Sequence, residues 1–187
     1  MKFSFFTIIA ASASLAGPAS ARCDAPEAER RICYNETGGT PQDIVPRDVL
    51  RAADYLRKYG SDPAHAFYTM PLPAADRCAE WDVTTYRSVR VLAKLHGQRA
   101  AKVTFDDIAD TLDGHRGRGR RKQTEAALWG CGSNGGQMAV QVNASDPRYG
   151  AEEFKDGSFT NKGILIKVVR NVEAAEEEKD EFEMEEI

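Results

Sequence analysis

Residues 86–95 read YRSVRVLAKL, and this stretch decides the fold class. Through its second half apolar and polar side chains alternate, and the apolar ones are Val89, Val91, Ala93 and Leu95. A period of two is typical of a strand that buries one face and leaves the other accessible. We therefore predict a half-buried β-strand over 86–95, with these four residues facing the core.

Amphipathic helices are predicted on either side of this strand. Residues 45–59 carry apolar side chains at helical spacing, with a proline in the first turn and Gly60 as the natural end. Their polar face is expected in solvent and consists of Arg47, Asp48, Arg51, Asp54 and Lys58. Residues 105–113 follow Thr104, which with an aspartate three positions on resembles a capping box, and a glycine at 114 ends the pattern.

The remaining segments complete an α+β pattern. Residues 61–82 hold three prolines and show no clear period, which predicts a loop. Strands are predicted at 32–36, at 125–131 and 137–143 around a hairpin-like turn Gly132–Gly136, and at 163–169, where GILIKVV is apolar enough to be central. The expected fold is a compact α/β sandwich, a mostly antiparallel sheet with two helices on one face and two disulfides.

The two ends of the chain differ from its middle. Residues 1–21 combine an early lysine, an apolar run and an Ala-x-Ala ending, which is typical of a secretory signal peptide and too short to span a bilayer. Residues 173–187 hold nine carboxylates and one lysine, so they contribute −8 to a total charge of −4. We predict a polar N-terminal segment over 22–31, a single α+β domain over 32–172 and a disordered acidic tail over 173–187.

The composition excludes several classes of protein. Hydrophobic residues make up 42% of the 187 residues and charged residues 29%. This is enough apolar material for a core, which excludes wholesale disorder, and too polar for a protein with several membrane spans. We expect a secreted, extracellular protein without a transmembrane segment.

Four cysteines give the expected covalent framework: Cys23, Cys33, Cys78 and Cys131. In an oxidising compartment an even number predicts disulfides, and three pairings are possible. We favour Cys33–Cys131, because both residues lie in apolar, strand-like surroundings, with Cys23–Cys78 holding the N-terminus. No pair of cysteines has the short spacing of a zinc site, so no metal is assigned.

Three sequence motifs predict modification. The triplets that begin at Asn35 and at Asn143 match the N-glycosylation acceptor pattern. The dibasic pair Arg30-Arg31 can be the cut site of a kexin-type processing protease, in which case 22–31 is a pro-segment. An ordinary charged linker is the alternative.

Residues 115–122 (HRGRGRRK) form a basic loop with five positive charges: Arg116, Arg118, Arg120, Arg121 and Lys122. It could contact nucleic-acid phosphates or anionic lipid headgroups, act as a nuclear localisation signal, or be cut at Arg120-Arg121. The simplest interpretation is a flexible solvated loop. We favour that interpretation, with processing second.

Catalytic candidates are few. His65, His96 and His115, with Glu125 or Asp82, could supply the acid–base groups that a small ribonuclease requires. Their spacing does not imply that they converge, and the sequence lacks the G-x-S-x-G and H-E-x-x-H motifs. We therefore assign no catalytic residue and no cofactor, and we expect a protein that is not an enzyme.

The layout resembles secreted effector proteins of plant-associated fungi. Cys33 on a first strand, the two helices around 86–95, and Cys131 with Gly132-Ser133 before the closing strand are similar to killer-toxin-like and necrosis-inducing effectors. The resemblance implies a monomeric virulence factor that binds a host or competitor protein or surface, with possible entry into the host cell.

Two alternatives to an effector stay open, and a nucleic-acid partner is disfavoured. One is a small secreted ribonuclease-like enzyme. The other is a cell-wall or carbohydrate binder, for which Trp81, Tyr149 and Phe154 would have to form a coplanar platform.

Overall fold

The computed structural model describes residues 27–36, 38–75, 79–114 and 126–174. Several predictions fall outside these residues: the signal peptide, Cys23, Cys78, His115, Glu125, the whole basic loop and the acidic tail from 175 onward. The elements in chain order are β1 (Ile32–Cys33), α1 (Pro46–Gly60), the 3₁₀ helix η1 (Pro63–His65), β2 (Phe67–Met70), β3 (Glu80–Tyr86), β4 (Val89–Leu95), β5 (Ala101–Thr104), α2 (Phe105–Asp113), the 3₁₀ helix η2 (Leu128–Asn134), β6 (Gly136–Ala139), the 3₁₀ helix η3 (Pro147–Gly150), α3 (Glu152–Lys155) and β7 (Ile164–Arg170).

The fold is α+β, as predicted. Five strands form one sheet in the order β1-β6-β7-β4-β3, in which every neighbouring pair is antiparallel. Strands β2 and β5 form a second, two-stranded antiparallel sheet. Strand β7 lies third of five in the large sheet, which confirms that the closing strand is central.

One face of the large sheet, here called the helix face, carries the core. It consists of Val89, Val91, Ala93 and Leu95 from β4 and Ile164, Ile166 and Val168 from β7, all at most 1% exposed. These residues form a single apolar cluster with Ala52 and Leu56 of α1 and with Ile108 and Leu112 of α2. The alternation over 86–95 therefore predicted the inward residues correctly, but the strand begins at Val89, because Tyr86 ends β3 and residues 87–88 form the turn between the strands.

The opposite face of the same strands is polar at several positions. It carries Arg90, Leu92 and Lys94 from β4 and Leu165 and Lys167 from β7. Leu92 and Leu165 are buried, but they do not belong to the core cluster under the helices. The large sheet thus has two covered faces of different chemistry.

The beginning of α1 is held by the turn between β3 and β4. The Val45 amide donates to Ser88 Oγ at 2.9 Å, and Ser88 Oγ donates to Asp48 Oδ2 at 2.7 Å. Ser88 therefore accepts from the amide of the N-cap residue Val45, the bond that an N3 side chain makes in a capping box, and links it to Asp48 at N3. Asp48 is only 6% exposed, so its predicted place on the solvated face of the helix was wrong.

Helix α2 has the predicted bounds, but only half of the predicted capping box forms, because the Thr104 amide donates to the Tyr149 hydroxyl and not to the Asp107 side chain. The Asp107 amide donates to Thr104 Oγ1 at 3.1 Å, the bond of an N-cap. Gly114 takes the left-handed conformation, with φ 70° and ψ 42°, and closes the last turn.

One loop prediction and one hairpin prediction were wrong, and the first strand is shorter than predicted, Ile32–Cys33 and not 32–36. The segment 61–82 is not all loop, because β2 and the beginning of β3 lie in it. The pair 125–131 and 137–143 does not form a hairpin, because residues 128–134 coil into η2 and β6 pairs with β1 and β7 instead.

Close packing explains two of the glycines before β6. A Cβ on Gly135 would lie 2.4 Å from the Val168 carbonyl oxygen, and one on Gly136 would lie 2.5 Å from that of Ile32. These glycines let neighbouring strands approach β6, a requirement that resembles a turn in the sequence alone.

The outer edge strand β3 is irregular. Its pairing with β4 shifts register between Asp82 and Thr84, which is a β-bulge. Within the described residues, no helix has both the length and the apolar character to cross a membrane.

Candidate binding surface

One predicted disulfide is present in the structure. Cys33 and Cys131 are bonded, which joins the edge strand β1 to η2 across 98 residues of sequence. The partner bridge Cys23–Cys78 lies outside the described residues, so the second disulfide stays a prediction.

The predicted modification sites lie at the surface where they are described. Asn35 and Asn143 are both exposed. The Arg30 side chain is 67% exposed, whereas Arg31 donates from Nη1 to the Ala127 carbonyl at 3.0 Å. Glycosylation and cleavage at these positions remain predictions.

The acid–base candidates are engaged separately. Asp82 binds Arg90 through two hydrogen bonds of 2.5 and 2.7 Å, and this pairing holds the pKa of Asp82 below its usual range. The His65 ring stacks on Tyr59 with 4.3 Å between ring centroids, and the His96 amide donates to Gly163 in the backbone. Among the described residues, no hydrogen bond or ion pair joins either histidine to Asp82.

The aromatic platform required for the carbohydrate-binding alternative is not formed. Tyr149 and Phe154 meet edge to face at an interplanar angle of 83°, so they are not coplanar. The Tyr149 hydroxyl donates to Asp107 Oδ2 at 2.5 Å and accepts from the Thr104 amide at 3.0 Å. Burial and the Asp107 carboxylate raise the pKa of Tyr149 above its usual range. Trp81 is half-buried against the core.

A different aromatic group is exposed: Tyr55, Tyr59 and His65, here called the aromatic patch. Tyr55 is 51% exposed, Tyr59 37%, and the His65 side chain 43%. Tyr55 and Tyr59 stack at 6.2 Å with 19° between their planes, and His65 continues the stack with 18°. The three rings therefore form a nearly parallel series on the surface.

Local structure places these rings together. Tyr55 and Tyr59 are four residues apart on α1, so they lie on the same side of the helix. The chain then turns through Asp62, whose Oδ1 accepts from the Ala64 amide at 2.9 Å and caps η1. This short helix returns His65 to the Tyr59 ring.

The patch rests on the core. The Tyr59 ring contacts Phe105 edge to face, with 5.0 Å between ring centroids. Tyr68 also contacts the Phe105 ring edge to face, at 5.9 Å. Phe105 is 7% exposed and opens α2. At the end of α1, a Cβ on Gly60 would lie 2.6 Å from Phe105 Cβ, so the glycine permits this close contact.

An ion-pair network fixes the two helices beneath the patch. Arg57 donates to both oxygens of Asp113 at 2.7 Å and to Asp110 Oδ1 at 2.6 Å. The hydrogen bonds to Asp113 are the main cause of a raised pKa for Arg57, against the effect of burial. Such bidentate pairing holds α1 and α2 in one relative position.

Sequence reasoning missed the patch, although a signal was present. Tyrosines at positions i and i+4 on the polar side of an amphipathic helix are an exception to its charged pattern. The contribution of His65 could not be read from spacing, since it depends on the turn through η1. In the part of the chain that the structure describes, no group of three metal-ligating side chains could hold an ion.

Comparison with known proteins adds no relative. No protein-family model, no curated protein and no solved structure matches the chain.

Proposed function

We propose that this protein is a secreted, disulfide-stabilised binding protein of the effector or toxin type, which acts on a host or competitor cell. The observation that carries the proposal is the aromatic patch. Its partner is a protein or surface component of that cell, and the binding makes the protein a virulence factor. It acts by contact and not by catalysis.

Tyrosine is the reason to expect binding at this place. Aromatic side chains are enriched in protein interfaces, and tyrosine is prominent among the residues that contribute most binding energy. The patch exposes Tyr55 and Tyr59 beside each other. Among the described residues, they are the two large aromatic side chains that are exposed.

Prior ordering strengthens this argument. Binding normally costs free energy to immobilise side chains at the interface. Here Tyr59 is already held between Tyr55, His65 and Phe105. A partner that covers the patch would therefore lose little free energy in ordering these side chains.

Secretion is supported by the covalent chemistry. Disulfides persist in oxidising compartments, and Cys33–Cys131 joins two distant parts of the described chain. Asn35 and Asn143 are accessible to a glycosylating enzyme. Both observations agree with the signal peptide predicted at residues 1–21.

The test compares two double variants of the labelled secreted protein on intact plant and yeast cells. We expect Tyr55→Ala with Tyr59→Ala to weaken cell binding at least about tenfold, because truncating a hot-spot tyrosine costs about 2 kcal/mol or more. The matched control is Arg47→Ala with Arg51→Ala, which changes exposed residues of the same helix.

Thermal melting of each variant separates binding from folding. Tyr59→Phe keeps the contact with Phe105 and should melt like the unmodified protein. The proposal is wrong if the tyrosine variant stays folded and binds cells as tightly as the unmodified protein, or if the arginine control loses as much binding.

A further inference from the structure

A half-buried carboxylate occupies the opposite face of the large sheet. Glu27 lies against Lys94 and Lys167, whose side chains are only 13% and 12% exposed. Lys94 Nζ donates to Glu27 Oε1 through a short hydrogen bond, and Lys167 Nζ donates to the same oxygen at 3.2 Å. Lys167 Nζ also lies 2.9 Å from Glu27 Oε2. Lys167 also donates to Glu80 Oε1 at 2.6 Å. Two lysines thus converge on one carboxylate.

One oxygen of the Glu27 carboxylate is left without a hydrogen bond in the part of the chain that the structure describes. Its Oε2 atom is buried and accepts no hydrogen bond of good geometry within the described residues, despite the nearby Lys167 ammonium. Burial opposes ionisation, but the hydrogen bonds from Lys94 and Lys167 hold the pKa of Glu27 below its usual range. The two lysines therefore keep this group charged.

Glu27 belongs to a short segment, residues 27–31, here called the strap. The Ala139 amide donates to the Glu29 carbonyl at 3.0 Å, which lays the strap beside β6. The strap then ends at the dibasic pair, directly before β1 and the disulfide-bonded Cys33. Glu27 is thus joined to β1 through the Arg31–Ile32 peptide bond, which is the bond that processing at the dibasic pair would cut.

We propose that Lys94 and Lys167 form a carboxylate-binding site, which Glu27 fills in the uncut chain and which cleavage after Arg31 opens. The cut hydrolyses one peptide bond: water gives its hydroxyl to the Arg31 carbonyl carbon and a proton to the Ile32 nitrogen. This site is separate from the aromatic patch and does not depend on the binding function proposed for it.

Formal charge identifies the class of ligand. Without Glu27, the site holds Lys94 and Lys167 against Glu80, a net charge of +1. A single carboxylate restores neutrality, whereas a phosphate dianion would leave an excess of negative charge. Buried charge without compensation is costly, so the vacated site favours a monoanion.

The surroundings strengthen this preference. Leu92 and Leu165 lie on the same face and are at most 8% exposed, and ion pairs gain strength beside apolar groups. Cleavage would also create an ammonium group on Ile32. In register, Ile32 lies opposite Gln137, which lies opposite Lys167. The new ammonium group lies two strands from Lys167, about 10 Å away, where salt screens it, so the charge balance of the lysine pair still favours a monoanion.

The disulfide allows the cut chain to keep its fold. Cys33 is bonded to Cys131 and follows the new N-terminus by one residue. With the predicted Cys23–Cys78 bridge, the cut segment stays attached to the protein, but the strap is freed from β1 and Glu27 can leave the lysines. Its release would remove the bonds to Ala139 and Ala127, whereas Cys33 would stay paired opposite Gly136. The rest of the sheet does not depend on the strap for its register.

The first experiment uses full-length mature chain carrying Glu27→Ala, which empties the site without a cut. The probe is sodium acetate, compared with sodium chloride and sodium phosphate at equal ionic strength. We expect acetate to raise the melting temperature of Glu27→Ala by about 3 °C over chloride, since a ligand that binds only the folded state stabilises it. Phosphate should give a smaller rise, and the unmodified protein should show none.

Two further variants locate the effect. Adding Lys94→Met to Glu27→Ala should abolish the acetate response, whereas adding Lys155→Met, at a 64% exposed lysine elsewhere, should preserve it. If Glu27→Ala does not fold in chloride, acetate should restore folding. Equal melting in acetate and chloride, a response that survives Lys94→Met, or failure of acetate to restore folding would each overturn the proposed site.

The second experiment tests the opening step and the source of the carboxylate. Native unmodified protein is treated with a dibasic-specific serine protease, and N-terminal sequencing should find Ile32 together with a new acetate response. A chain that resists cleavage, or is cut without gaining the response, contradicts the opening step. The peptide acetyl-Glu-Ala-Glu-Arg-amide copies residues 27–30 of the strap. If the ligand is an extended acidic segment, this peptide should bind more tightly than acetate. If the ligand is a small acid, the two should bind equally.

Discussion

The helix face and the opposite face of the large sheet are built from the same strands, yet they are stabilised in different ways. In β7, Ile164, Ile166 and Val168 enter the apolar core, while Leu165 and Lys167 between them point to the other side. Apolar burial is non-directional and tolerates many partners. The opposite face depends on particular charge pairs, so removing one group there leaves another uncompensated. The helix face therefore supplies most of the stability of the domain, whereas the stability of the opposite face depends on whether each charged group has its partner.

The largest loss of stability is expected on removing the disulfide of β1, the edge strand at which both faces of the large sheet end. Cys131→Ser should lower the free energy of unfolding by about 4.7 kcal/mol, the chain-entropy value for a loop of roughly 100 residues. Urea denaturation measures it, and reduction of the unmodified protein provides the control. Cys23→Ser should be milder. Equal tolerance of the two substitutions would show that the bridge at β1 is not the main covalent support.

Adjacent residues of β7 compare the faces directly. Ile166 and Leu165 are both fully buried, one on each face. We expect Ile166→Ala to cost about 4 kcal/mol, near the upper end for large-to-small core changes, and Leu165→Ala about 2 kcal/mol. The reason is that Ile166 is surrounded by the core cluster and Leu165 is not. Equal losses in urea denaturation would mean that the two faces are equally well packed.

The charge pairs on the opposite face predict a pH dependence. The lysines hold the pKa of folded Glu27 below the ordinary value of 4.5, although burial opposes this shift. Its stabilisation is therefore present above that value and is lost as the pH falls through the lower folded-state pKa. Glu27→Gln should cost about 2 kcal/mol at pH 7, and the difference from the unmodified protein should shrink below about pH 4.5. A pH-independent difference would contradict the ion pairing.

The smallest effect is expected at the rim of the same face. Arg90 and Asp82 are paired, but their side chains are 42% and 55% exposed. Exposed pairs contribute about 0–1 kcal/mol and are screened by salt. Arg90→Gln should therefore change stability by less than about 1 kcal/mol, and by nothing measurable in 1 M NaCl. A loss near 2 kcal/mol would show that this rim is as sensitive as Glu27.

Local patterns predicted much of this fold. The alternation of Val89, Val91, Ala93 and Leu95 and the N-cap at Thr104 each depend on neighbours within a few residues, and the structure confirms both. The bond between Cys33 and Cys131 was also predicted, from the apolar surroundings of both residues, although Cys131 lies in η2 and not in the strand expected there.

Contacts between distant residues could not be predicted in this way. The glycines before β6 resemble a hairpin turn, but Gly135 and Gly136 are required by the approach of β7 and β1. Strand β2 was hidden by prolines on both sides, and its pairing with β5 is non-local. The aromatic patch and the Glu27 site likewise join groups that only the folded chain brings together.

The bulge in β3 has a consequence for behaviour at high concentration. An edge strand offers unpaired amides and carbonyls to which a second copy could add, and long flat edges are prone to such aggregation. In β3 the shift between Asp82 and Thr84 divides the regular pairing into two stretches of three residues, 80–82 and 84–86. With a charged side chain at the break, neither stretch is a good template for a neighbouring strand. The same irregularity that ends the pairing inside the sheet thus keeps its edge from recruiting another molecule.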